Sequence, residues 1–356
     1  MRSTEETLAT ALARGLITPE QRDGLRAIAA EPAAALDAVA FPPPPQDDEK
    51  LRFITGFGDI FVTIGLGLFL SSLAYFASGL ELVGMTAVLA LASWLLAEFF
   101  TRRQRMALPS IVLLVVYALT VFLGLSAAVA QTNDFFLLRE GDHPLAMALA
   151  GLLTFAAVGL HYWRFRVPIT LAAGAAALVA SVLALATALS PDTLALALDP
   201  LLVGCGLAVF ALAMWFDLSD PLRQTRRTDI AFWLHLLAAP LIVHPLLGRF
   251  VAEARIEGGE IAAWPILAVF AALGVVAVLV DRRALLVSGL VYAGIAFGSL
   301  MSGAGVAGSV PLTVLALGAF VLLLSAAWHP LRRAILSLLP RALAARLPNP
   351  SIAAPS

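Results

Sequence analysis

Ionisable residues occur inside stretches of this chain that are otherwise apolar. The segment 229–250, DIAFWLHLLAAPLIVHPLLGRF, contains His235 and His244. Ionisable groups at membrane depth are costly, so they usually face a partner, a cavity or the membrane surface. On an ideal helix the two histidines lie on opposite faces and about 13 Å apart along the axis, so they cannot share one metal ion. The sequence predicts no metal site and no cofactor.

The segment 56–78 carries a second polar pattern. Small and polar side chains recur in it at every fourth position: Asp59, Thr63, Gly67, Ser71 and Tyr75. Residues at this spacing lie along one stripe of a helix. Such a stripe is typical of a tight seam between membrane helices, and it also fits one wall of a polar cavity. The sequence leaves both interpretations open.

Asp59 and His235 are predicted to lie at the same depth in the membrane. Each occurs a few residues inside an apolar segment, and both segments run in the same direction. We therefore expect their helices to be neighbours or to share a cavity, with Asp59 close enough to stabilise a protonated His235. A site of this kind would bind a small solute or an ion. Its candidate residues are Asp59, Thr63, Tyr75, Glu98, His235 and His244.

Other charged residues lie at the ends of apolar segments, where simpler roles fit them. Asp229 opens its segment and is placed to cap the free N–H groups of a helix. Arg226 and Arg227 precede it, and Asp217 ends an earlier segment. We interpret these four as helix caps or as residues at the membrane surface. The surface role is also open for Glu98, because long charged side chains extend toward the lipid headgroups.

The composition is that of a polytopic membrane protein. Hydrophobic residues make up 60% of the 356, the mean hydropathy is +0.91, and 13% are charged, against about 25% in soluble domains. The single cysteine, Cys205, excludes an intrachain disulfide. The motifs HExxH, GxSxG, GxxxxGK[ST] and CxxC do not occur, so no enzyme activity is indicated. No pattern indicates nucleic-acid binding.

The apolar segments predict an all-α fold of ten membrane-spanning helices. Each segment has about the 20 residues that a hydrocarbon core of ~30 Å requires. The predicted spans are 56–78, 80–100, 108–131, 144–163, 167–189, 196–217, 229–250, 261–280, 284–302 and 309–328.

Arginine placement supports this count and orients the chain. Basic residues are enriched in cytoplasmic loops of membrane proteins. With the N-terminus inside, 20 of the 23 basic residues fall in alternate connections, including those that begin at Arg102, Arg164, Arg223 and Arg282. One miscounted span would reverse every later connection and spoil the alternation. We therefore expect both termini to be cytoplasmic.

The first 40 residues are charged and predict a soluble helical hairpin. Gly15 is placed to end its first helix in a left-handed conformation, and Thr18-Pro19-Glu20-Gln21 has the form of a capping box opening the second. We expect the hairpin to dock on the membrane domain, on a partner protein or on a second copy. The predicted organisation is a hairpin (1–40), a Pro-rich acidic linker (41–52), a ten-span domain (53–329) and an interfacial C-terminal segment (330–356).

Several segments resemble a group of bacterial membrane proteins classified as domains of unknown function. They are the hairpin motif GLITPEQ, the sequence GFGDIFVTIGLGLFL, the run FWLHLLAAPLIVHP and the ending WHPLRRAILSLLP. The resemblance implies a location in the bacterial inner membrane and a hairpin followed by membrane spans. It implies no activity.

Two functions from different classes fit these observations. The first is a transporter, or a protein that binds a small solute or ion, with its site near Asp59 and His235. The second is a membrane scaffold or sensor that transports nothing and acts through the hairpin. Polar residues converging inside the helix bundle would favour the first function. Scattered polar residues and an exposed apolar face on the hairpin would favour the second.

Overall fold

The protein is helical throughout the part that the structure describes. A computed structural model describes residues 8, 10, 12–15, 17–30, 57–132, 143–221, 223, 225–257, 263–306, 308–340 and 347, and no strand occurs among them. The chain divides into two units, Met1–Leu51 and Arg52–Ser356. The predicted linker at 41–52 lies outside the described residues, as does most of the predicted C-terminal segment beyond Pro340.

The first unit contains helix α1 (Pro19–Ala30). Its start has the predicted capping box: the backbone N–H of Gln21 donates to Oγ1 of Thr18 at 3.2 Å, and the N–H of Thr18 donates to Oε1 of Gln21 at 2.9 Å. Gly15 has the predicted left-handed conformation, with φ +68°. These two local features of the hairpin prediction are confirmed.

The described part of the second unit contains ten helices that are long and apolar enough to cross a membrane. They are α2 (Phe57–Ala77), α3 (Leu82–Ala97, continued by a π-helix, Glu98–Arg103), α4 (Ala107–Ala130), α5 (Pro144–Phe165), α6 (Ile169–Leu189), α7 (Pro191–Leu218), α8 (Arg226–Glu257), α9 (Ala263–Val280), α10 (Ala284–Gly303) and α11 (Ser309–Ser337). The prediction of an all-α, ten-span fold is confirmed, and the chain is an integral membrane protein.

Helices that follow each other in sequence pack as antiparallel neighbours, most extensively α3 with α4, α5 with α6, and α7 with α8. Helix α8 also packs on α6 and α10. Half of its most apolar window is buried, the largest share among the ten helices, whereas the share for α11 is 6%. Helix α8 is therefore the centre of the second half of the bundle.

Helices α8 and α11 extend furthest beyond their predicted limits. Helix α8 runs without interruption through Pro240 and Pro245. Helix α11 passes the boundary predicted at 330 and continues to Ser337. Arg332, which we expected near the lipid headgroups, lies in this extension. It is fully buried and donates through Nε to the carbonyl of Val278 at 3.2 Å, so the protein itself provides its polar partner.

Candidate functional site

Four arginine-bearing connections, α3–α4, α5–α6, α7–α8 and α9–α10, meet at one end of the membrane unit, which we call the arginine-rich end. Glu98 joins the first two, because Arg164 donates to both of its carboxylate oxygens, at 2.7 and 2.8 Å. Asp217 and Arg282 join the last two. The most deeply buried group of charged side chains in the described residues lies here, around α7 to α11.

The carboxylate of Asp217 is the centre of this group. Its Oδ2 accepts from Nε of Arg282 at 3.0 Å and from Nε2 of His235 at 2.9 Å, and its Oδ1 accepts from Nη2 of Arg282. The side chains of Asp217, His235 and Arg282 are 0%, 0% and 1% exposed. Arg282 also donates to the carbonyl of Thr228 at 3.2 Å. This geometry links the end of α7, the body of α8 and the α9–α10 turn.

His235 fits this site as a neutral imidazole. Its Nε2–H donates to Asp217, while its Nδ1 is buried and has no hydrogen-bond partner among the described residues. A second ring proton would be a buried donor without an acceptor, close to the guanidinium of Arg282. The ring also makes an edge-to-face contact with Phe210, with 5.2 Å between the ring centroids. The negative charge of Asp217 is instead balanced by Arg282.

A second carboxylate, Asp281, ties the same region to α11. Its Oδ2 accepts from Nη1 of Arg223 at 3.0 Å, and its Oδ1 accepts from Nε1–H of Trp328 at 2.7 Å. Nε of Arg332 lies 3.7 Å from Oδ1. Asp281 and Arg223 both have positive φ, +59° and +52°, a conformation that glycine adopts with less strain. Both positions therefore carry a charged side chain although their backbone conformation favours glycine.

A third carboxylate, Asp220, orders the connection before α8. Its Oδ2 accepts from the backbone N–H of Thr225 at 2.8 Å, from Oγ1 of Thr225 at 2.7 Å and from Oγ1 of Thr228 at 3.2 Å. We call the whole set the ion network: Asp217, Asp220, Arg223, His235, Asp281, Arg282, Trp328 and Arg332. Its three carboxylates match its three guanidinium groups, so it is electrically balanced when His235 is neutral.

The predicted pairing of Asp59 with His235 is wrong. Asp59 is only 2% exposed in the first turn of α2, but neither ring nitrogen of His235 bonds to it. Helix α2 packs on α3 and α4, whereas α8 packs mainly on α7, α10 and α6. A shared depth therefore did not bring the two side chains together.

The polar stripe of α2 is neither a packing seam nor a cavity wall along most of its length. Oγ1 of Thr63 donates to the carbonyl of Asp59 in its own helix at 2.7 Å, and Tyr75 is 77% exposed. A Cβ atom built on Gly65 or Gly67 would meet nothing within 4 Å. The face that α2 does bury is apolar beyond Asp59, through residues such as Leu66.

The other predicted residues lie in three places. Glu98 is at the arginine-rich end, where Arg102 also donates to it at 3.2 Å. Arg226 and Arg227 are exposed at the start of α8, and Asp229 is half-buried in its first turn. His244 hydrogen-bonds through Nδ1 to the hydroxyl of Tyr292 on α10. None of these side chains belongs to the ion network.

Sequence reasoning missed most of the network: Asp220, Arg223, Asp281, Arg282, Trp328 and Arg332. It treated the arginines only as markers of orientation and Asp217 as a surface residue. A usable signal was present, because Asp217, Asp220 and Asp281 are acidic residues in arginine-rich connections at the edges of apolar segments. A carboxylate in that setting is a candidate for a buried ion pair.

A cavity of about 660 Å³ lies between α8 and α10, beyond the network along α8. His244, Tyr292 and Ser288 supply its polar groups, and the remaining lining is apolar apart from the backbone. Neither Asp59 nor His235 lines it. Among the described residues, no group of three or more His, Cys, Asp or Glu side chains is placed to hold a metal ion.

Comparison of the chain with protein-family models, with curated proteins and with solved structures finds no match. The resemblance to bacterial membrane proteins of unknown function therefore stays a prediction.

Proposed function

We propose that this protein is a transporter of small solutes in a bacterial inner membrane, with both termini cytoplasmic, and that the ion network is its closed cytoplasmic gate. The network carries the proposal, because it joins α7, α8, the α9–α10 turn and α11 through buried charged groups at a single end of the bundle. Arginine-rich connections at that end support its cytoplasmic location.

The chemistry of the network favours a gate over a static link that only stabilises the fold. A buried ion pair is weak evidence for stability, because well-packed apolar side chains often hold the same elements equally well. Charged pairs can, however, be broken and remade by a proton, a cation or a charged solute. Switching proteins rearrange interface ion pairs when rigid parts rotate against each other, and transporters rock one helix bundle against another.

The cavity between α8 and α10 supports the same proposal. Its volume lies within the range of ~300–1,000 Å³ that is usual for small-molecule sites. The pair His244 and Tyr292 provides hydrogen-bonding groups on an otherwise apolar surface. A solute with an apolar body and one polar group fits this lining. Along α8, the lining of the cavity begins at Pro240, about 7.5 Å beyond His235 on an ideal helix.

Cysteine accessibility tests the gate. In a Cys205→Ser background, Ala231→Cys places a thiol on α8 at a position that is fully buried beside the network. We expect Arg282→Gln to increase its labelling by a membrane-impermeant maleimide in inside-out vesicles by about tenfold or more, because loss of the guanidinium leaves Asp217 without a counter-charge.

Ala150→Cys is the matched control, because Ala150 is equally buried but lies on α5. Its labelling should stay the same in the Arg282→Gln background. If the thiol introduced on α8 remains shielded, the network is not a gate. If the thiols on α5 and α8 become accessible together, the Arg282→Gln substitution loosens the whole bundle and the gate proposal also fails.

The scaffold function is a second candidate, favoured by one observation on the hairpin. Leu25 on α1 is 44% exposed, so part of the apolar face of the hairpin is uncovered in its own unit. If this face mediates self-association, Leu25→Ser should lower the oligomeric state of the full chain measured by light scattering in detergent. Asp23→Ser on the same helix is the control. An identical mass for the wild type and both variants would argue against self-association.

A further inference from the structure

We propose that a second cavity, at the arginine-rich end, is a binding site for a phosphate group. This arginine cavity has a volume of about 490 Å³ and lies between the α3–α4 connection, the α5–α6 connection and the start of α8. Its lining includes five arginines, namely Arg102, Arg105, Arg164, Arg166 and Arg226, and a single carboxylate, Asp229. It shares no residue with the ion network.

Within the described part of the chain, much of this positive charge has no carboxylate paired with it. Arg102 and Arg164 pair with Glu98, which is outside the lining. The other three, Arg105, Arg166 and Arg226, are exposed and form no ion pair within the described part of the chain. Three guanidinium groups around one cavity therefore remain for an anion.

The backbone adds to this charge. Helices α4, α6 and α8 all begin at the cavity, with Ala107, Ile169 and Arg226 in its lining. The first turn of a helix has free N–H groups and a partial positive charge. Neither α4 nor α6 has a side-chain cap on these groups. Helix starts and guanidinium groups together form an environment that attracts anions.

Two of the unpaired arginines occupy positions where the backbone would favour glycine. Arg105 has φ +55° and Arg166 has φ +54°, each at the connection between two membrane helices. A glycine would adopt this conformation with less strain. Strained backbone positions cluster at functional sites, and here the side chains at both positions line the same cavity.

A phosphate group is the anion that matches these features. Guanidinium groups bind phosphate oxygens through paired N–H donors, and the cavity offers several of them. Ile111, Ile169 and Trp233 add an apolar part to the lining. The cavity lies where membrane helices end, at the level where phospholipid headgroups lie, and basic pockets between such helices bind anionic headgroups. The phosphate can belong to such a headgroup or to a soluble molecule.

The test uses the full chain, delipidated in detergent. Binding of phosphatidylglycerol and phosphatidylcholine is followed by native mass spectrometry, and binding of inorganic phosphate by calorimetry. We expect the triple variant Arg105→Gln/Arg166→Gln/Arg226→Gln to lose at least about tenfold in affinity for phosphatidylglycerol, since each arginine near a headgroup contributes to the attraction. Phosphatidylcholine, which has no net charge, should bind weakly to the wild type and the variant alike.

A second triple variant, Arg103→Gln/Arg227→Gln/Arg333→Gln, removes the same charge from exposed positions outside the cavity lining. It should bind like the wild type. Lipid binding without binding of inorganic phosphate assigns the site to a headgroup, and the reverse result assigns it to a soluble phosphate. The proposal is overturned if both triple variants lose affinity equally, or if the cavity variant binds both ligands as the wild type does.

Discussion

At the residue scale, the carboxylate of Asp217 makes the most consequential contacts in the described part of the chain. It accepts from Arg282 and from His235 in a region with almost no exposed side-chain surface. Taking charges out of water is costly, and their mutual attraction offsets that cost only while both partners are present. Removing one partner should therefore be far more harmful than removing both.

This asymmetry gives the first prediction. Asp217→Asn should destabilise the protein by about 3–5 kcal/mol, because it leaves the buried guanidinium of Arg282 without a counter-charge. The double variant Asp217→Asn/Arg282→Gln should be clearly more stable than the sum of the single changes implies. Thermal unfolding in detergent measures both effects.

The half-exposed Arg102 provides the control for that series. Arg102→Gln removes an ion pair with Glu98, but its side chain is 55% exposed, so the change should be below about 1 kcal/mol. If the changes in unfolding free energy caused by the Asp217 and Arg282 substitutions were strictly additive, the two side chains would not be energetically coupled. That result would contradict the direct contact between them.

At the element scale, the contact between α7 and α8 positions the ion network. Gly206 on α7 makes this contact close, since a Cβ atom built there would lie 2.7 Å from Cγ1 of Ile242 and 3.1 Å from the backbone nitrogen of the same residue. Small residues commonly allow such approach between membrane helices. Asp217 and His235 lie on these two helices, so their hydrogen bond depends on the spacing.

Gly206→Ala should therefore force α7 away from α8 and destabilise the protein by about 1–3 kcal/mol, as overpacked sites usually do. It should also increase maleimide labelling of Ala231→Cys. Gly204→Ala is the matched control, because a Cβ atom at Gly204 would meet nothing within 4 Å. Alanine is also the better helix former, so the control should be neutral or slightly stabilising. Equal stability of the two variants would contradict the close packing.

At the scale of the whole molecule, the alternation of arginine-rich and acidic connections predicts a single orientation. Reporter fusions to the two termini, and an insertion after Gln104 at the arginine-rich end, should report the cytoplasmic side. An insertion after Gln131, at the other end of α4, should report the opposite side. A cytoplasmic N-terminus together with an external C-terminus would require an odd number of spans and would contradict the ten helices in the described part of the chain.

The ten helices and the capping box were predictable because their signals are local. Hydrophobic length fixes a span, and Thr18 with Gln21 fixes a helix start within four residues. The partner of His235 was not predictable in the same way. Depth sets the height of a side chain in the membrane, but its neighbours depend on how the helices are arranged around it. Asp59 was predicted at the depth of His235, but the packing of α7 on α8 places Asp217 beside the histidine.

The sequence separation within the ion network has a consequence for biosynthesis. Asp217 and His235 are 18 residues apart, but Arg282 follows Asp217 by 65 residues and Trp328 follows Asp281 by 47. At a translation rate of about 5–20 residues per second, Arg282 is made roughly 3–13 s after Asp217. Throughout that interval, the nascent chain carries an acidic residue at the edge of a membrane helix without its guanidinium. Completion of this half of the bundle therefore has to wait until the ribosome has passed the α9–α10 turn.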